Sequence, residues 1–126
     1  GMILELKVEG IGNEACAIVK RTGFPGPLIY ASFLMPELQR VRQTDPDAKI
    51  MVLQHRRLPP DPVADVVALD ASHVGLHFST VTPMLLQTYH NLGRQVFVYT
   101  VNEPQDIQRM RNLGVDGIIS DFPDRI

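Results

Sequence analysis

The tripeptide Glu5-Leu6-Lys7 sets a carboxylate and an ammonium two positions apart, within a run that alternates in polarity from Leu4 to Val8. On a strand this spacing turns both charges to one side and Leu4, Leu6 and Val8 to the other. A carboxylate beside an ammonium can hold a divalent cation and an anion such as phosphate. The plain alternative is a solvated edge strand with alternating charge. One of these reasons is needed, because a parallel sheet is covered on both faces. Two later stretches share a different layout, a strand end followed by polar residues: Val98-Tyr99-Thr100-Val101-Asn102-Glu103-Pro104, and Gly114-Val115-Asp116-Gly117-Ile118-Ile119-Ser120-Asp121-Phe122-Pro123. Ligands of α/β folds gather at the carboxyl ends of strands, so Tyr99 and Asn102 could line a pocket. Against that, Tyr99 can be core, Asn102 a helix cap and Asp121 a turn or cap residue.

The four histidines are His55, His73, His77 and His90. None forms a close ligand pair on an expected helix, and none has a carboxylate or cysteine partner evident in the sequence. They read as surface or internally satisfied groups. His73 and His77 bracket one strand end, which keeps His77 a candidate. Arg56-Arg57 reads as a solvated patch.

These residues need a scaffold, and the chain alternates short β-rich runs with segments of helical period. Strands are expected at 3–8, 28–33, 49–53, 72–76, 95–101 and 115–120. Helices are expected at 13–21 with Asn13 as cap, at 36–43, at 82–92 with Thr82 as cap and Pro83 in the first position, and at 104–112. Residues 63–68 fit helix or strand. Pro59, Pro60 and Pro62 exclude regular structure from 54–62. Strand–helix alternation with short links predicts parallel βαβ units, about six strands in one domain over 1–126.

Composition narrows the function classes. Twelve basic against fourteen acidic side chains, a formal charge of −2, give no basic footprint for nucleic acid. No apolar run approaches the roughly 18 residues of a membrane helix. One cysteine, Cys16, excludes a disulfide framework or a multi-cysteine zinc site. Dinucleotide, P-loop and serine-hydrolase motifs are absent. Gly1 ahead of Met2 reads as an expression scar, and without a secretory leader the expected compartment is the cytoplasm.

Taken together and in order, Ile3-Leu4-Glu5-Leu6-Lys7, Ala31-Ser32-Phe33, Leu38-Gln39-Arg40-Val41-Arg42, Asp45-Pro46-Asp47-Ala48, Val96 to Pro104 and Gly114 to Pro123 resemble the glycerophosphodiester phosphodiesterase family. The resemblance implies a TIM barrel, here partial, and hydrolysis of glycerophosphodiesters to an alcohol and glycerol 3-phosphate. It implies a divalent cation, Mg or Ca, with Glu5 as a metal ligand. It implies Lys7 as a phosphate contact, and Phe33 and Tyr99 as apolar walls near the glycerol, Tyr99 standing where the family usually has tryptophan. The family's opening histidine-arginine motif, its second histidine and most of its cation ligands belong before Glu5. A whole barrel takes about 250 residues. The resemblance therefore predicts no catalytic acid/base in this chain, no tight cation binding and no activity of the chain alone. The alternative is a non-catalytic assembly or phosphate-binding module. An open barrel has two unpaired sheet edges, so a homodimer that covers them is expected.

Overall fold

The structure, a computed structural model, describes residues 1–126. Six strands form one parallel sheet: β1 (Met2–Glu5), β2 (Leu28–Ser32), β3 (Lys49–Leu53), β4 (His73–His77), β5 (Gln95–Tyr99) and β6 (Gly117–Ile118). Their spatial order is their sequence order, and every neighbouring pair is parallel. A doubly wound sheet would reverse its order at a switch point. Consecutive order without reversal is barrel topology, and these strands form a half-barrel with flanking helices.

Five helices lie between the strands: α1 (Gly12–Thr22), α2 (Met35–Thr44), α3 (Ala64–Ala68), α4 (Pro83–Asn91) and α5 (Pro104–Leu113). Alternation along each strand sends one set of side chains outward to these helices. Tyr30, Ile50, Val52, Val74, Leu76, Val96 and Val98 pack there with Leu38, Val41, Ile107 and Met110. The other set points into the concave face, where Ala31, Met51 and Leu53 pack with Ile29, Phe33 and Phe97. On this face a Cβ at Gly75 would lie 2.5 Å from Leu53 Cδ2 and 3.2 Å from Met51 Sδ, so a larger residue would force those side chains to move. The central strands are buried on both faces and read as apolar runs, whereas β1 is largely exposed.

Several expected boundaries shift, among them β5, which ends at Tyr99 rather than Val101. β1 ends at Glu5, not Val8, so Lys7 lies beyond the strand and Val8 is 58% exposed. β6 is two residues long, Gly117 and Ile118 opposite Phe97 and Val98, although backbone bonds continue to either side, from the Asp116 amide to the Val96 carbonyl and from the Val101 amide to the Ile119 carbonyl. Asn13 does not cap α1. It sits inside the first turn and accepts from Thr44 Oγ1 at 2.9 Å. The ambiguous 63–68 stretch forms the short helix α3. Thr82 and Pro83 begin α4 as expected, with Thr82 Oγ1 accepting from the Leu85 amide at 3.1 Å.

Candidate functional site

The concave face opens at the carboxyl ends of the strands, and four of the five residues singled out in the sequence gather there. Glu5 ends β1, Phe33 follows β2, and His77 and Tyr99 end β4 and β5. Glu5, Phe33, Leu53, Tyr99, Thr100 and Ile119 line one cavity of about 150 Å³. The Phe33 and Tyr99 rings meet edge to face at 5.9 Å, and Tyr99 meets His77 in the same way at 5.7 Å. Burial, then the Glu5 carboxylate, pushes the Tyr99 hydroxyl above its usual pKa. It stays protonated and donates to the Gln54 carbonyl. Tyr99 is therefore a wall residue with its polar end already satisfied. Lys7 is exposed in the turn after β1 and forms no ion pair.

His77 accepts at Nδ1 from the Ser79 amide at 3.2 Å, with Ser79 Oγ also within 2.7 Å. An Nδ1 that accepts leaves the proton of the neutral ring on Nε2, a free donor at the mouth. His73 is on the same face of β4 at the opposite end. It is buried, its Nδ1 is 2.7 Å from Ser72 Oγ, and burial pushes its pKa down. It is an internally satisfied neutral ring. His90 has a carboxylate partner that is not evident in the sequence. Its Nε2 is 2.7 Å from Asp116 Oδ2, which also accepts from the Val96 amide at 2.7 Å. The pairing was hidden because it joins residues 26 positions apart. Asn102 does not cap α5, where Glu103 holds that position. Its Oδ1 accepts from Ser120 Oγ and the Asp121 amide, and its Nδ2 donates to Asp121, which secures the segment after β6.

Two contributors were not singled out. His55 stacks on Phe33 at 4.3 Å with 21° between planes, and its only sequence signal was its position just past a strand end. Glu37, wholly buried, reaches across from α2 and accepts from the Ile11 and Gly12 amides at 2.9 and 3.0 Å. It caps α1 in place of a local side chain and holds the turn that carries Lys7. Its other oxygen has no hydrogen-bond partner, and Arg40 Nε stands 3.7 Å away. Ser32 Oγ steadies the same turn by donating to the Leu6 carbonyl at 2.6 Å.

Backbone N–H groups of residues 10–12 hold the Glu37 carboxyl below its usual pKa, against the opposing effect of burial, with Arg40 adding to the lowering. A depressed carboxylate contributes stability above its unfolded pKa, near 4.3, that is lost as pH falls through the folded value. Glu37→Gln is therefore expected to be less stable than the parent at pH 7, with the gap closing below about pH 4. Urea midpoints across that range check it.

The cation implied by the resemblance does not fit these residues alone. No group of three or more His, Cys, Asp or Glu side chains could hold a metal ion. A divalent cation wants about six oxygen ligands, and Glu5 supplies at most two. The roomiest depression, about 600 Å³ against Cys16 and Tyr30, lies on the helix side and away from Glu5.

Parallel strands in consecutive order, with a carboxylate and aromatic side chains at their carboxyl ends, define part of a (β/α)-barrel. The sequence specifies which barrel: residues 4–125 match the Glycerophosphoryl diester phosphodiesterase family, and the chain belongs to it. A glycerophosphodiester phosphodiesterase from Caldanaerobacter subterraneus subsp. tengcongensis is 28% identical over 93% of this chain and 48% of its own length. The structure of an Oleispira antarctica phosphodiesterase, in complex with the product sn-glycerol-3-phosphate, superposes with a TM-score of 0.88 at 25% identity, covering 100% of this chain and 53% of that one. A glycerophosphodiester phosphodiesterase from Parabacteroides distasonis shares the fold at 24% identity, TM-score 0.82, over 97% of this chain and 53% of its own. The chain spans about half the length of these relatives. No helix is long and apolar enough to cross a membrane.

Proposed function

We propose that these residues form the glycerol-facing part of a glycerophosphodiester phosphodiesterase site. The reaction adds water across the phosphodiester and releases an alcohol and glycerol 3-phosphate. Glu5 contributes a carboxylate toward a divalent cation, Lys7 contacts the phosphate, and Phe33 and Tyr99 wall the glycerol, with the His77 Nε2–H beside them. The observation that carries this reading is that Glu5, Phe33 and Tyr99 line one cavity at the strand ends. The product held by the Oleispira relative supports the ligand class.

General acid–base catalysis needs a group within reach of the transferred proton, and we assign none of these side chains that role. The acid/base and the remaining cation ligands come from βα units outside the 126 residues. With Mg or Ca, the chain alone is expected not to turn over glycerophosphocholine, and turnover is expected once the opening βα units of a relative are fused ahead of Met2. Turnover by the chain alone would overturn the division of labour. A well-folded fusion without turnover would overturn the enzyme reading.

A second reading, an assembly module in the cytoplasm, rests on the exposed β1 edge. Met2 and Ile3 are 37% and 38% exposed there. An unpaired edge templates another strand. In the 126-residue chain the simplest occupant is a second copy, with β1 pairing antiparallel to itself across a two-fold axis.

A further inference from the structure

The loop after β3, residues 54–62, carries His55, Arg56 and Arg57, to which the hydrolysis proposed above gives no role. It is fixed at both ends. Tyr99 donates to the Gln54 carbonyl, Gln54 Nε2 donates to the Pro62 carbonyl, and Tyr89 donates to the same Pro62 oxygen at 2.8 Å. Burial pushes the Tyr89 hydroxyl up to about 12, so it remains a donor through the neutral range. Held in this way, the loop lays His55 on Phe33 and forms one wall of a depression of about 240 Å³ with Arg57, Pro59 and Met35. Phe33 and Leu53 line both this depression and the Glu5 cavity, so the two spaces are neighbours. Neither Arg56 nor Arg57 forms an ion pair, and Asp65 is the only acid lining the depression.

We propose that this depression is the subsite for the alcohol arm of the diester, and that it favours an alcohol bearing a further phosphate or carboxylate. The inference rests on the phosphodiesterase reading. A guanidinium presents forked donors that suit an oxyanion, and an unpaired one has no carboxylate to release first. Asp65 opposes this charge and tempers the preference. A cationic head group such as choline would need an aromatic cage, but His55 already covers one face of Phe33.

The test is a titration of the amide-labelled 126-residue chain, followed by NMR, with glycerol 3-phosphate, bis(glycerophospho)glycerol and glycerophosphocholine. The phosphate-bearing diester is expected to bind about fivefold tighter than glycerophosphocholine and to shift the amides of residues 55–57. Arg57→Gln should bring that ratio near one, while Arg111→Gln, an exposed charge on α5, should leave it unchanged. A ratio at or below one, or one insensitive to Arg57→Gln, would overturn the subsite while glycerol 3-phosphate still shifts Tyr99. If glycerol 3-phosphate shifts nothing near Glu5 or Tyr99, the phosphodiesterase reading fails first, and the alcohol subsite falls with it.

Discussion

Glu5→Gln is expected to cut diester hydrolysis by the completed barrel at least about a hundredfold, which corresponds to about 3 kcal/mol of transition-state stabilisation. The substitution keeps the shape of the side chain and removes its charge. Of the acidic side chains, only Glu5 lines the cavity it shares with Phe33 and Tyr99. Glu5 is exposed at a strand end and takes no part in the buried core, so the fold should survive. A second readout separates a lost charge from a lost fold. Because the Glu5 carboxylate raises the Tyr99 pKa, Glu5→Gln should lower the tyrosinate midpoint of Tyr99 in an ultraviolet titration. A variant with normal hydrolysis and a shifted Tyr99 would remove Glu5 from the reaction.

Ile3→Pro should switch the 126-residue chain from dimer to monomer. Light scattering at micromolar concentration should read about twice the 14.1 kDa chain mass for the parent and that mass itself for the variant. Met2 and Leu6 send their amides inward, to the carbonyls of Pro27 and Ala31. Strand alternation therefore turns the Ile3 amide outward to the free edge, where a proline removes a donor without breaking the β1–β2 ladder. A monomeric parent would dismiss the paired-edge assembly.

Local signals were legible wherever local chemistry decides the outcome. Thr82, Pro83 and the glycine that follows α4 mark that helix in the sequence, and the prolines of 54–62 mark a loop. β3 and β4, buried on both faces, read as short apolar runs, and β5 reads by its alternation. What the sequence concealed is long-range. Glu37 looks like an ordinary first-turn acid of α2, yet it serves α1, 25 residues away. The loop at 54–62 looks unstructured, yet Tyr89 and Tyr99, from two later elements, hold it in one shape. His77 and Tyr99 are legible as residues near strand ends, whereas Glu5 reads as mid-strand in the expected strand 3–8 and Phe33 stands out only through the family resemblance; barrel topology brings all four to one rim. His55 also lies just past a strand end, yet at the head of a charged, proline-rich stretch it reads as a surface or internally satisfied group.

The consecutive order of the strands has a consequence for how the chain acquires its structure. Each strand pairs only with the strand before and after it, so every ladder closes over one helix and its links. Loop-closure cost stays low at each step, and no strand must wait for a distant partner. Assembly can proceed from the ribosome outward, one βα unit at a time. Loss of structure should begin where a strand has a single neighbour, with two-residue β6 peeling first and the doubly covered β3–β4 pair opening last.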